Sequence, residues 1–500
     1  KGSDGADLGM PAYFKFLTIL AFNVFLEEKV DVAVVEVGIG GSYDCTNVMR
    51  NPVVCGITTL DYDHMQTLGN TLEEIAWNKA GIMKPGSCAV TVSQPPSVLG
   101  VFLKRSKELQ CPISMAPSLS RYNWPQNEIK SGLPGRQNHI NLSLALQIVK
   151  IWLKKTSLLF AHSPKINLND LNDEVIPGQS SQDPKTEEFV ENILPVLPGF
   201  RLNSVFTSAA QNCRWPGRNQ IVSAGRRRYF LDGAHTPKSL QYCAEWFFHQ
   251  SALTANVNNE DPLRILIFHC TFYRTPEALL PHLLDCDFDF AIFCPAVVDL
   301  ERNPRDDQTN YNTSQVSEYE KAKRNAEIWK LLREKSNSMR FKKSTNEKSR
   351  LRYLSEPYQE PCLITLSPEE VRNCWVPNPD PPPHSPAAKE LFPVEELSSV
   401  VVFPCIKAAF AWIKELEAVH GTESFGNKGG NEVNVDRTNA NKAVANKEEI
   451  SNRDKPSPTP RTNSNDAKTN EGARAVHILV TGSLHLVGGV LSLVDPDLKM

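Results

Sequence analysis

At roughly 150 residues per domain, 500 residues suggest about three domains. Thirty-six prolines, 22% charged and only 8% aromatic residues describe a soluble chain diluted by segments that cannot pack. About 350 to 400 residues are therefore expected to fold, enough for two sizeable cores. With 54 basic against 57 acidic side chains, net −3, the balance argues against nucleic acid: the only dense basic runs, Arg226-Arg227-Arg228 and 340–352, are too short or too unstructured to form a footprint.

Pro11 opens a segment with Phe14, Leu17, Ala21, Val24 and Phe25 at helical spacing, which reads as a packed amphipathic helix. Val30 to Val37 is apolar at nearly every position, the pattern of a parallel strand covered on both faces, and Val53 to Thr59 is a second. Thr71-Leu-Glu-Glu74 is a capping box opening a helix that carries Trp77 and Lys79. A third strand at 87–92, a helix near 97–109 and an amphipathic helix at 142–152 complete a first alternating series, the signature of a doubly wound sheet. Residues 156–210 read as insertion and linker.

A second alternating series begins near Trp215. Strands are expected at 219–223, 228–232, 264–269 and 288–293, with helices at 237–249 and 276–285. From about 300 to 390 the chain is charged and proline-rich, and 425–474 holds ten asparagines and one aromatic, Phe425. Both stretches read as disordered inserts, because they cannot bury enough surface to offset their ordering entropy. Between them lie a strand, 399–403, and a helix, 405–418. Val476 to Thr481 and Leu484 to Leu493 make a last strand–loop–helix. The 12 cysteines are scattered with no CxxC pair, which argues against structural zinc or a disulfide framework and for a reduced, intracellular compartment. No apolar run reaches the ~20 residues that span a bilayer. Lys1 rather than methionine leads the chain, which reads as a processed end or a fragment.

Four motifs are candidates for chemistry. Glu36-Val-Gly-Ile-Gly-Gly41 runs on to Asp44-Cys-Thr-Asn47 and places a carboxylate and glycines at a strand end, where open α/β sheets bind ligands. The alternative is a tight turn with Glu36 solvated. Asp61-Tyr-Asp63-His64 follows the second strand, so His64 shares a rim with Glu36 and the pair could hold a divalent cation; a loop histidine bonded to a backbone carbonyl is the alternative. Lys79 reads first as a solvated helix lysine. Trp215-Pro-Gly-Arg218 and Leu231-Asp232-Gly-Ala-His235-Thr-Pro237 offer a guanidinium fork for phosphate, a carboxylate for ribose hydroxyls and a helix amino terminus. A well-capped turn with an ion pair is the plainer reading.

These stretches, EVGIGGxxDxTN at 36–47, the DH and LGxTLEEIAxxKAGIxK run at 63–84, WPGRxQ at 215–220, LDGAHTPxS at 231–239 and VTGSLHLVGGVL at 480–491, resemble the folylpolyglutamate synthases, the folate members of the Mur ligase superfamily. The resemblance implies an α/β fold of two domains, each a mostly parallel sheet with helices on both faces. A Mg-ATP and folate domain over 1–155, of P-loop type but lacking its first strand and loop, would precede a Rossmann-like glutamate-ligase domain over 211–500 with inserts at about 300–390 and 422–474. It implies ATP-dependent addition of L-glutamate to the γ-carboxyl of tetrahydrofolates and their polyglutamates through an acyl phosphate, by a monomer in the cytoplasm and mitochondrion. By motif, Glu36 and His64 match Mg²⁺ ligands, Lys79 a carbamylated lysine beside the metal, and Arg218, Asp232, His235 and Asn47 nucleotide contacts; a monovalent cation is implied as well.

Departures accompany the likeness. The phosphate loop GTxGKGS is not found, and Lys1-Gly2-Ser3 reads as a coincidental echo of its end. Arg136-Gln137-Asn138 stands where a His-Gln pair is usual, and His269 to Arg274 departs from an FNxTxxRD-like run. Two other readings stay open: a catalytically silent folate- or partner-binding product, and a dihydrofolate synthase.

Overall fold

Two sheets organise the chain. The computed structural model describes residues 10–125, 128–156, 193–258, 261–271, 274–300, 315–342, 395–397, 399–422 and 474–497. Lys1-Gly2-Ser3, residues 157–192 of the expected linker, and 301–314, 343–394 and 423–473 of the expected inserts lie outside the described residues.

The first sheet has three parallel strands in the order β1 (Cys55–Ile57), β2 (Ala89–Thr91), β3 (Ile113–Met115). The capping box forms as expected. Thr71 Oγ1 accepts the Glu74 amide while Glu74 reaches back to the Thr71 amide, and α3 (Leu72–Ala80) follows. Helices α3 and α4 (Pro96–Glu108) pack Ile75, Val98, Leu99 and Phe102 on one face of the sheet. The other face is covered by α5 (Arg136–Thr156), whose Leu144 meets Val90 and Val92. Residues 193–212, assigned above to insertion and linker, join this unit. Val196 bridges to Met115 beside β3, and Phe200, Leu202 and, from α6 (Ser204–Asn212), Phe206 and Ala210 pack with Tyr122 and Trp124.

Two expectations at the start of the chain fail. The helix forms as α1 (Tyr13–Glu27), but it buries no residue, and Phe14, Leu17 and Val24 stay 44%, 37% and 45% exposed. Val30 to Val37 is not a strand, and Val34 is 92% exposed. A strand is buried in a parallel sheet only when neighbours take up its edges. Among the described residues β1 pairs with β2 alone, and nothing pairs with 30–37.

The second sheet has seven strands in the order β4-β5-β10-β6-β7-β9-β8. These are β4 (Gln220–Ala224), β5 (Arg227–Leu231), β6 (Leu263–Phe268), β7 (Phe290–Phe293), β8 (Glu395–Leu397), β9 (Val400–Val402) and β10 (Val476–Thr481). The five inner strands run parallel, and β4 and β8 are antiparallel edges. Alternate side chains sort to the two faces. Phe230, Leu266, Phe293 and Leu479 meet α7 (Pro237–Asn258), α8 (Pro276–Leu279) with the 3-10 turn after it, and α9 (Gln315–Lys342). Leu231, Ile267, Ile292 and Val480 meet α10 (Ile406–Thr422) and α11 (Leu484–Val494).

Helix α9 corrects the expected 300–390 insert. Its abundant charge hides Tyr319, Ala322, Ala326, Trp329 and Leu332 at helical spacing, all 2% exposed or less, which seat it on β7 and β9. The last strand, β10, inserts between β5 and β6 and is buried along its whole length. The helix after β5 covers one face and the helix after β10 the other. The carboxyl ends of β5 and β10 therefore flank the crevice where open α/β sheets take ligands.

Candidate functional site

The loop after β1 carries the first rim. Gln94 fixes it, its Oε1 accepting the Leu60 amide at 3.1 Å and its Nε2 donating to the Thr58 carbonyl at 2.8 Å. Gln137 on α5 donates to Thr59 Oγ1 at 3.3 Å. Asp61 and Asp63 follow, and His64, in the left-handed conformation at φ 53°, turns the chain into the short helix α2 (Met65–Leu68). Imidazoles tolerate that region better than most side chains.

The glycine loop docks on the end of α3 beside Lys79. Ser42 N–H donates to the Asn78 carbonyl at 2.9 Å. Asn47 Nδ2 donates to the carbonyls of Ser42 and Gly81, each at 3.1 Å. Both amide protons of Asn47 are thus committed to backbone, and only its Oδ1 is left for a ligand. Asp44 closes the loop by accepting from Ile39 N–H and from Thr46 N–H and Oγ1.

The second rim follows β5. Asp232 is 7% exposed, and its oxygens accept Asn219 N–H at 2.8 Å and Ala234 N–H at 2.9 Å. Burial raises its carboxyl pKa against those two amides and the Arg218 charge. Arg218 lies close by: its Nη1 stands 2.5 Å from where a Cβ on Gly233 would lie, so the glycine admits the guanidinium. His235 Nδ1 is 2.6 Å from the Gly233 carbonyl. A carbonyl cannot donate, so Nδ1–H donates to it and Nε2 is left to face the other rim.

The two rims meet. Lys238 N–H, in the first turn of α7, donates to Asp61 Oδ2 at 2.8 Å, a carboxylate at a helix amino terminus. Asp63 takes Arg274 Nη2 on both oxygens at 3.2 Å. His235 Nε2 and His64 Nε2 lie 3.5 and 3.6 Å from Asp63 Oδ2. Burial alone would raise the Asp63 carboxyl. The hydrogen bond from His235 and the charges of Arg274, His64 and His235 outweigh it and hold Asp63 well below the usual carboxylate range. Burial pushes the Lys79 ammonium down, opposed only by the charge of Asp63. That contradicts the picture of a solvated helix lysine.

The structure thus gathers His64, His235 and Arg274 around Asp63, with the Lys79 ammonium feeling its charge, while Asp232, with Arg218 near it, follows β5. Glu36 is not gathered with them; it stands exposed on the extended 30–37 segment and joins none of these contacts. Two central residues were passed over in the sequence reading, Asp63 and Arg274. The signals were there: Asp63 precedes His64 just beyond a buried strand, and Arg274 ends the run that follows β6. Among the described residues no three His, Cys, Asp or Glu side chains form a ready metal cage.

The chain is 34% identical over 499 residues to the human folylpolyglutamate synthase, mitochondrial, a match covering 99% of this chain and 71% of that relative. The folylpolyglutamate synthase of Arabidopsis thaliana is 33% identical over 322 residues, covering 58% of this chain and 50% of the relative. The crystal structure of Mycobacterium tuberculosis folylpolyglutamate synthase complexed with ADP and AMPPCP superposes with a TM-score of 0.52, covering 97% of this chain and 73% of that one. At 17% identity it speaks for the fold. No protein-family model matches the chain.

Proposed function

The chain belongs to the folylpolyglutamate synthase family, and from that premise we infer how its own residues serve the ATP-dependent extension of a folate by glutamate. The enzyme is a ligase with ATP as substrate. The observation that carries the site assignment is the meeting of the strand ends after β1, β5 and β6 at Asp61, Asp63, His235 and Arg274. In our reading, the γ-carboxylate of the folate takes the terminal phosphoryl of ATP, the amine of L-glutamate attacks the acyl phosphate, and phosphate leaves. Such chemistry needs little covalent help from the protein; positioning and charge neutralisation supply the rate.

Arg218 and Asp232 are assigned to the nucleotide, with His235 beside them and Asn47 holding the glycine loop in place. A buried carboxylate with the charge of a guanidinium near it at a sheet crevice supports this. Lys79 is assigned as a carbamylated residue. Only a neutral amine adds CO₂, giving a carbamate and a proton, and the lowered pKa of Lys79 favours that amine. For Mg²⁺ we infer Glu36, His64 and the carbamate. Mg²⁺ keeps several waters and prefers oxygen donors, so the carboxylate and the carbamate suit it by donor type, the His64 nitrogen less so, and Glu36 stands apart from the other two. The ion would neutralise phosphate charge. A monovalent cation is kept as a further ligand of the reading. We take the working unit as a monomer. The human relative is named as mitochondrial, and for this chain we infer the cytoplasm as well.

Replacing Lys79 tests the assignment. Lys79→Ala should abolish ligation and small carboxylic acids should partly restore it, while Lys79→Arg, which cannot carry a carbamate, should stay inactive. An active arginine variant refutes the carbamate.

A further inference from the structure

We propose that Asp63 is a positioning residue that clasps the two sheets' rims together, holding Arg274 and His235 of the second sheet against the His64 turn of the first. The proposal rests on the site reading above and deepens it. Asp63 lies beyond β1, His235 beyond β5 and Arg274 beyond β6, so one carboxylate joins three strand ends. Its two oxygens share Arg274 Nη2 at 3.2 Å each, and Oδ2 also faces His235 Nε2 at 3.5 Å.

The partners are themselves fixed. Arg274 Nη1 donates to Thr271 Oγ1 at 2.6 Å, and His235 is held by the Gly233 carbonyl at 2.6 Å. Asp63 accepts the His64 amide on Oδ1 at 3.0 Å, and its own amide donates to the Asp61 carbonyl. A second carboxylate acts in parallel, since Asp61 receives the Lys238 amide at 2.8 Å. The side chains of Asp63 and Arg274 are only 27% and 21% exposed, so solvent weakens the pair less than it would an open surface bridge. A clasp so placed sets the distance between the Lys79–His64 corner and the Asp232–His235 turn. Displacements of about 1 Å there cost rate rather than fold.

The test uses the full chain carrying Asp63→Asn, Arg274→Met and both changes together. Each single change should lower kcat by about tenfold or more, with KM for ATP within about threefold of wild type. The double variant should be no slower than the worse single, because both remove one clasp. Multiplying losses, or an Asp63→Asn enzyme with wild-type kcat, would overturn the proposal. Asp63→Glu should recover part of the rate. Hydrogen exchange reads the clasp without turnover, and so separates it from the functional reading. Asp63→Asn should speed exchange of the Lys238 amide and its neighbours in the first turn of α7, and unchanged protection there overturns the clasp even if the chain proves not to ligate.

Discussion

A Cβ built on Gly41 would lie 2.9 Å from the carbonyl oxygen of Lys79 and 2.7 Å from that of Asn78. The glycine loop and the end of α3 are therefore seated backbone to backbone, and the loop can hold Lys79 in place only while position 41 lacks a side chain. Gly41→Ala must push the loop off the helix, because neither backbone oxygen is the far end of a flexible chain. The expected cost is ~1–3 kcal/mol of stability, with a larger fall in ligation than the stability loss explains. Thermal unfolding and turnover of the same preparation check it. A variant with wild-type values in both removes the seating argument.

Asp232 tests the nucleotide assignment and the turn together. Asp232→Ala strands the Asn219 and Ala234 amides that its oxygens now accept. It should lose ~2 kcal/mol or more and raise the KM for ATP by about tenfold. An unchanged KM in a folded variant would leave the carboxylate as a turn-holder only.

Acid stability should depend on His477, which lies wholly buried near the start of β10. Ser251 Oγ accepts Arg264 Nε–H at 3.3 Å and lies 2.9 Å from His477 Nδ1, so the imidazole is tied to a buried hydroxyl beside a guanidinium. Burial first, then the charges of Arg228 and Arg264, push the His477 pKa down to about 4. The folded value lies below the unfolded one, so the unfolded chain takes up this proton first as pH falls. The stabilisation from a neutral His477 is complete above about 6.5 and is lost progressively toward 4, of order 3 kcal/mol in all. Asp63, whose folded pKa is also depressed, adds a loss only below the ordinary aspartate range near 3.8. Guanidinium unfolding at pH 7 and pH 5 should show a smaller drop for His477→Leu than for wild type. Equal drops would assign the acid sensitivity elsewhere.

Helix α9 should prove integral to the second sheet. Trp329 is 1% exposed, and its ring lies 6.3 Å from that of Phe288 and 6.5 Å from that of Phe293. Trp329→Ala should cost ~3–5 kcal/mol. Trp329→Phe should cost far less, because the buried indole Nε1 has no hydrogen-bond partner to lose. If both variants unfold at the wild-type midpoint, the helix does not anchor the sheet.

What the sequence disclosed followed from local physics. Strands β6, β7 and β10 are near-continuous apolar runs, and the capping box at Thr71 and Glu74 declares its helix outright. Helix α9 was obscured because its charged residues outnumber the few at contact spacing, and those matter only once β7 and β9 stand beneath them. Val30 to Val37 shows the reverse error, since apolar composition marks a strand able to be buried but cannot supply the neighbour that buries it. At the site, Lys79 was recoverable only through family likeness, because the glycine loop docked on its turn and the charge of Asp63 come from other segments and leave no mark on the spacing of its own helix. Arg274 and Asp63 were unreadable as a pair for the same reason: 211 residues separate them.

The most direct measurement of the central claim follows labelled glutamate into folate. Incubated with ATP, Mg²⁺, a tetrahydrofolate and labelled L-glutamate, this chain should form labelled folylpolyglutamate, releasing one ADP and one phosphate for each glutamate added. Binding of folate and ATP without any labelled product, under conditions where a known family member incorporates label, would contradict the account.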